Sequence, residues 1–194
     1  MSRLPPVSFE FFPPRDEQGR IKLINNVARK LGALNPHFFS VTYGAGGSTR
    51  DGTRQTVADL KAAGFDAAPH LSMGNDEIPA VKQMLDDYAA LGINRIVALR
   101  GDQPSGMGTN PFANNAQALV ELIRKHSGNQ FHLEVAAYPE THPDAKSAAA
   151  DLDYFKRKVD AGADSAITQY FYNVDAFENF LNRCAQANIT LPIV

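Results

Sequence analysis

Cysteine occurs once, at Cys184, and tryptophan not at all. A single thiol forms no internal disulfide and no cysteine zinc cluster, which points to a reducing compartment. Neither sign of charge dominates: 19 Lys and Arg stand against 21 Asp and Glu, a net charge of −2, and no basic run is present that would neutralise a track of phosphates. Nucleic acid is therefore not an expected partner. No apolar run has the length needed to cross a bilayer, and the opening Met1-Ser2-Arg3-Leu4-Pro5-Pro6 has no apolar signal core. These absences predict a soluble, cytoplasmic protein with no membrane partner.

What is present is ordinary globular composition. In 194 residues, 44% hydrophobic and 21% charged, there is enough apolar side chain for one sizeable core and no linker or low-complexity tract, so residues 1–194 read as one domain. Short β-rich runs, apolar on both faces, predict strands at Val7–Phe12, His37–Tyr43, Asp66–Ser72, Arg95–Arg100, His132–Tyr138 and Ser165–Phe171. Helical periodicity fills the gaps at Ile21–Leu34, Thr53–Ala63, Glu77–Leu91, Ala116–Lys125, Ala145–Ala161 and Val174–Ala187; Leu152, Phe155 and Val159 form one packing stripe. Gly64, Gly92 and Gly162 fall where a helix hands over to a strand.

Strand followed by helix, repeated, implies right-handed βα units and a parallel sheet. A doubly wound sheet would be marked by a Gly-x-Gly-x-x-Gly loop, but the nearest stretch, Gly44-Ala45-Gly46-Gly47-Ser48-Thr49, has Thr in the third glycine position. The expected fold is therefore a TIM (β/α)8 barrel. Such a barrel takes about 250 residues, and the pattern here reads as one truncated after six βα units and the start of strand 7 at Leu191-Pro192-Ile193-Val194. A barrel in that state is expected to be inactive on its own.

Active sites of such barrels lie at the C-terminal ends of the strands. Polar residues are dense there: Glu10, Thr42-Tyr43, His70, Arg100-Gly101-Asp102, Tyr138-Pro139-Glu140-Thr141-His142 and Gln169. Glu10 sits in sequence among Phe9, Phe11 and Phe12, which predicts poor solvation, a raised pKa and general-acid chemistry; the alternative is a structural pair with a base such as Arg100. His70 reads either as a site residue or as a buried hydrogen-bonding histidine. Asp151, Tyr154 and Lys158 share one helical face, with Arg157 adjacent, and form either a solvated surface or a holder of phosphates and ribose. No metal-ligand motif, no strand-end lysine for a Schiff base and no Gly-x-Ser-x-Gly elbow occurs, and Cys184 has no histidine partner in view.

Seven blocks, taken together and in order, resemble methylenetetrahydrofolate reductase of the bacterial type. They are Ser8-Phe9-Glu10-Phe11-Phe12-Pro13-Pro14-Arg15, Ser40-Val41-Thr42-Tyr43-Gly44-Ala45, Ala67-Ala68-Pro69-His70-Leu71, Ala98-Leu99-Arg100-Gly101-Asp102, Ala136-Ala137-Tyr138-Pro139-Glu140 with His142-Pro143, Lys156-Arg157-Lys158-Val159-Asp160-Ala161-Gly162-Ala163 and Ile167-Thr168-Gln169-Tyr170-Phe171. The resemblance implies an FAD-dependent barrel that reduces 5,10-methylenetetrahydrofolate to 5-methyltetrahydrofolate in one-carbon metabolism and methionine biosynthesis. It further implies NADH or NADPH as hydride donor by ping-pong kinetics, and a homo-oligomer.

By the same resemblance Glu10 is the general acid that helps open the folate's five-membered ring, Asp102 contacts the pterin and tunes the flavin, and Gln169 touches folate or nicotinamide in turn. Thr42 is a nicotinamide contact. The positions matching FAD contacts are Tyr43, Ala45, His70, Arg100, Gly101, Asp102, Ala113, Tyr138, His142, Ala145, Asp151, Arg157 and Lys158. Tyr154 stands where the bacterial pattern carries an asparagine. Two rival readings remain: another flavin-dependent barrel oxidoreductase, similar to proline dehydrogenase, or an inactive flavin-binding fragment. Glu10 on strand 1 together with Gln169 on strand 6 separates the first rival from the reductase.

Overall fold

Apolar runs become strands and helix-period stretches become helices in the order expected. A computed structural model describes residues 6–44, 49–73, 77–100 and 116–194. The chain runs β1 (Phe9–Phe11), a continuous helix made of α1 (Glu17–Lys22), a π-helical segment (Leu23–Ala28) and α2 (Arg29–Gly32), then β2 (Phe39–Val41), α3 (Arg50–Ala62), β3 (Ala67–Leu71) and α4 (Ile78–Ala90). It continues through β4 (Arg95–Ala98), α5 (Ala116–Ser127), β5 (His132–Ala137), α6 (Ala148–Asp160), β6 (Ser165–Thr168) and α7 (Val174–Gln186).

The six strands are parallel and hydrogen-bonded in sequence order. A doubly wound sheet would reverse its strand order partway, and this one does not. It also curls: Arg95 of β4 lies 4.7 Å over the ring of Phe38, which leads into β2, and Ile167 of β6 packs against the cluster of Phe38, Ala68 and Val97. Strands spaced about 4.8 Å apart in a flat sheet would keep these side chains well separated. Beyond β6 the last residues begin a further parallel pairing, Ala166 with Ile193, with Val194 N–H donating to Ala166 O at 2.9 Å and Thr168 N–H to Val194 O at 2.8 Å. The architecture is the curled, helix-clad sheet of a truncated TIM barrel.

Alternation along the strands separates two interiors. Phe9, Phe11, Phe39, Val41, Leu71, Ile96, Ala98, Leu133 and Val135 face outward into the main core under the helices, whereas Glu10, Ser40, Ala68, His70, Val97 and Glu134 fall on the inner face. The Leu152, Phe155 and Val159 stripe of α6 packs as its spacing predicts, with Phe155 buried against Phe180 of α7. The buried thiol of Cys184 lies in the same core.

Element starts differ from the periodicity reading where a cap decides them. The first helix begins at Glu17 rather than Ile21 because the Asp16 carboxylate accepts from Gly19 N–H at 2.7 Å; α6 begins at Ala148 rather than Ala145 because Ser147 Oγ accepts from Ala150 N–H at 3.1 Å. The base of the sheet is clamped by Arg124 of α5, which donates to the carbonyls of Gly162, Phe131 and Gly128 and pairs with Asp164 at 2.5 Å. Gly162 closes α6 at φ +111°, and a Cβ there would lie 3.1 Å from Arg124 Cγ, so glycine meets both the backbone and the packing requirement. Among the described residues no helix is long and apolar enough to cross a membrane.

Candidate functional site

The residues expected to carry chemistry gather where the strands end. On β1, Glu10 is paired in register with Ser40 and projects from the inner face, opposite Phe9 and Phe11, while Phe12 is 81% exposed. The predicted apolar cage of three phenylalanines therefore does not form, and the Glu10 side chain is 54% exposed. Its partner is not Arg100 but His70 of β3, whose Nε2 lies 3.3 Å from Glu10 Oε2. The expected rise in pKa is reversed: the His70 ring nitrogen beside it holds the Glu10 carboxyl below the usual carboxylate range, against the smaller opposing effect of partial burial. Strand alternation explains the correction, since neighbours in sequence point to opposite faces.

His70 itself is buried, and its Nε2 has no hydrogen bond of good angle among the described residues. A purely structural histidine would have that atom satisfied. Thr42 and Tyr43 follow β2, half-buried, and their backbone is pinned: Thr42 N–H donates to Phe11 O at 2.9 Å, and the Thr53 hydroxyl of α3 donates to Thr42 O at 2.7 Å. Thr49 Oγ1 accepts from Gly44 N–H at 2.7 Å, holding the same turn. The threonines at 49 and 53, one helical turn apart, are the signal in the sequence for this anchor. Ala45, Gly101, Asp102 and Ala113 lie outside the described residues.

Arg100, past the end of β4, reaches across to Asp144 at 3.3 Å. Asp144 belongs to the loop between β5 and α6, which is tightly organised. The Tyr138 and His142 rings meet edge to face at 4.5 Å, His142 N–H donates to Asp151 Oδ2 at 2.9 Å, Asp144 N–H donates to His142 Nδ1 at 3.0 Å, and Ala145 N–H donates to His142 O at 2.9 Å. Thr141 in this loop has φ +74°, a conformation disfavoured for a β-branched residue and maintained by its surroundings. Glu140, which the sequence places simply at the rim, accepts through its carboxylate from the backbone N–H groups of Tyr172 and Asn173, at 3.3 and 2.9 Å, and ties this loop to the start of α7. Between the two loops lies a cleft of about 420 Å³ lined by Tyr138, His142, Asp144, Gln169, Tyr170 and Phe171, among others. Gln169 stands on its rim with its N–H bonded to Ala137 O at 2.7 Å.

The helical face of Asp151, Tyr154 and Lys158 is neither uniformly solvated nor uniformly open to a ligand. Tyr154 is exposed beneath the Arg157 guanidinium, which lies 5.4 Å from its ring and pairs with Asp153 at 2.6 Å. Lys158 instead turns under the sheet, donating to Ala136 O at 2.5 Å. Burial lowers its pKa from 10.5 to about 8, with Asp151 opposing the shift. A lysine whose folded pKa is depressed leaves the unfolded chain holding more protons between pH 8 and 10.5, so stability rises with pH across that window. Urea titrations of the chain at pH 8 and pH 10 are expected to show a gain of about 2 kcal/mol that Lys158→Met lacks; equal gains in the two proteins would refute the burial account.

The described residues include no group of three or more His, Cys, Asp or Glu placed to hold a metal ion. Chemically, the assembled rim offers a carboxyl–imidazole pair, the cations Arg100 and Arg157 with Lys158 beneath, a tyrosine–histidine wall and a carboxamide.

Comparisons with known proteins identify the family and the fold. The family model described as methylenetetrahydrofolate reductase matches residues 2–194. The chain is 46% identical over 189 residues to 5,10-methylenetetrahydrofolate reductase of Escherichia coli, covering 97% of this chain and 62% of that protein, and 39% identical to methylenetetrahydrofolate reductase (NADH) 1 of Zea mays, covering 96% and 34%. It thus spans less than two thirds of the length of these relatives. Among solved structures, an uncharacterized protein from Clostridium thermocellum that binds two copies of 5-methyl-5,6,7,8-tetrahydrofolic acid superimposes with TM-score 0.67 at 16% identity, covering 97% of this chain and 64% of that one. A 2,3-dimethylmalate lyase superimposes with TM-score 0.60 at 10% identity, covering 96% and 65%. At those identities the structural likenesses establish the barrel fold alone.

Proposed function

The chain belongs to the methylenetetrahydrofolate reductase family, and from that premise we propose that it forms the catalytic part of an enzyme reducing 5,10-methylenetetrahydrofolate to 5-methyltetrahydrofolate with NAD(P)H and FAD. The observation that carries the proposal is the placement of Glu10, with His70 beside it, on the inner face at the C-terminal strand ends, with Gln169 at the far edge of the same rim. The reading extends to a cytoplasmic, homo-oligomeric protein acting in the supply of methyl groups for methionine.

The residues present fit a flavin dinucleotide. Arg100 and Arg157 offer guanidinium groups for a diphosphate, Lys158 adds positive charge beneath the rim, Tyr138 and His142 form a wall, and His70 belongs to the same surface by resemblance. Thr42, Tyr43, Ala145 and Asp151 complete the described part of that surface, and Ala45, Gly101, Asp102 and Ala113 belong to it by resemblance. FAD, when bound, supplies the hydride chemistry. The chain supplies orientation and the proton. Glu10 protonates the ring nitrogen as the carbon–nitrogen bond of the folate's five-membered ring opens, Asp102 contacts the pterin, and Gln169 and Thr42 orient folate or nicotinamide in turn, so that the two substrates use one face by ping-pong kinetics.

The test is made on a chain extended to the full length of the curated relatives, purified with bound flavin. NADH or NADPH, added without oxygen, is expected to bleach the flavin's visible absorption, and 5,10-methylenetetrahydrofolate is expected to restore it with formation of 5-methyltetrahydrofolate. Bleaching without restoration by folate would replace this reading with a different flavin oxidoreductase.

A further inference from the structure

We propose that His70 is the positioning residue for Glu10, imidazole and carboxyl sharing one proton that Glu10 hands to the folate ring nitrogen; this rests on the reductase reading above. The geometry is specific. Glu10 of β1 is in register with Ser40 of β2, and Ser40 with Ala68 of β3; His70, two residues on, returns to the same inner face one step nearer the C-terminal ends. The buried ring nitrogen Nε2 lies 3.3 Å from Glu10 Oε2 and has no well-angled hydrogen bond among the described residues. Among the described residues, the inner-face neighbours are Ser40 and Thr42 from β2 and Val97 and Leu99 from β4, all uncharged. Among the described residues, His70 is the one charged or titratable group that acts on Glu10.

The pair resolves a conflict that Glu10 alone would pose. A general acid must carry a proton at working pH, yet this carboxyl is held below the usual range by the imidazole beside it. Housing the proton between the two groups keeps it available while leaving Glu10 ionised in the half-exposed resting state. In the step itself, the one shared proton passes from the pair through Glu10 Oε2 to the ring nitrogen, which also takes the electron pair of the breaking carbon–nitrogen bond, and the pair is left as carboxylate and neutral imidazole. Water at the open end of Glu10 restores one proton to the pair before the next turnover.

Carbon-13 carboxyl NMR of the glutamate-labelled chain tests the pair without requiring activity. The Glu10 signal, assigned by its loss in Glu10→Gln, is followed against pH in the parent, His70→Leu and His70→Gln. In the parent it titrates below an ordinary glutamate. In His70→Leu it moves up past the parent, because burial is then unopposed, and in His70→Gln, where a hydrogen-bond donor remains, it falls between. In the extended chain, with rates normalised to bound flavin, His70→Leu is expected to lower kcat of the folate half-reaction about tenfold or more and to shift its pH profile, with the folate KM changed much less. An unmoved Glu10 titration in both variants would overturn the pairing, as would a change confined to KM. If His70→Leu does not fold, His70→Gln alone decides the question by the same two readouts. A parent protein that leaves folate unreduced overturns the reductase reading and the proton's destination, while the titration still judges the pair.

Discussion

Replacing Glu10 by Gln in the extended, flavin-loaded chain is expected to slow reduction of methylenetetrahydrofolate by about 10²- to 10⁴-fold, the range by which positioned acid–base groups act. The substitution keeps shape and polarity and removes the transferable proton. Glu10 is 54% exposed and among the described residues its one ion-pair partner is His70, so the structural cost should stay within about 0.5 kcal/mol. A loss of activity would therefore report chemistry rather than unfolding. Two measurements separate the cases: stopped-flow reoxidation of the reduced flavin by folate should collapse, and the thermal midpoint should match the parent's. If Glu10→Gln reoxidises at the parental rate, the carboxyl is not the acid, and the proton must come from another group at the rim.

The sign of the Glu10 shift shows where reading a sequence stops short. The repeat of strand and helix was legible because parallel strands buried on both faces leave continuous apolar runs, and the intervening helices bury a regular stripe such as Leu152, Phe155 and Val159. Which residues stand at the strand ends was legible too, because strand ends follow from strand positions. The partners within the site were not. Three phenylalanines adjacent to Glu10 in sequence suggested a dry pocket, but a period of two sends Phe9 and Phe11 to the helix side and leaves the carboxyl on the other. His70 is 60 positions away from Glu10, and only the register of three strands brings the two together. Lys158 is a similar case: helical periodicity placed it beside Asp151 and Tyr154, but its reach to Ala136 O depends on the packing of α6 against β5. Caps such as Asp16 and Ser147 carry a signal in the sequence, an Asp or Ser just before the helix, that hydrophobic periodicity alone does not register.

The inner-face pair depends on the outer-face core, and Phe39→Ala is expected to expose that dependence. Phe39 of β2 is completely buried and meets three other rings: Phe11 at 5.1 Å and Phe9 at 6.1 Å, both stacked, and Phe65 edge-on at 5.2 Å. Its removal strips contacts from β1 and from the turn leading into β3 at once. An alanine methyl leaves the space of the ring unfilled, so the cost should fall at about 3–5 kcal/mol, the sum of lost transfer energy and a cavity. In urea, with a slope of about 2 kcal/mol/M, the unfolding midpoint should drop by roughly 2 M. Phe12→Ala is the contrast: that ring is 81% exposed, and its loss should change stability by less than about 0.5 kcal/mol. Equal effects from the two substitutions would mean that the aromatic cluster does not hold β1 against β2. A selective effect at Phe39 would carry a further consequence for the site, because Ser40, the next residue, is the register partner of Glu10. Loosening β2 should then weaken the hold of His70 on the carboxyl, and the Glu10 titration in folded Phe39→Ala should drift upward from its parental value, linking the packing under the helices to the proton held on the opposite face of the sheet.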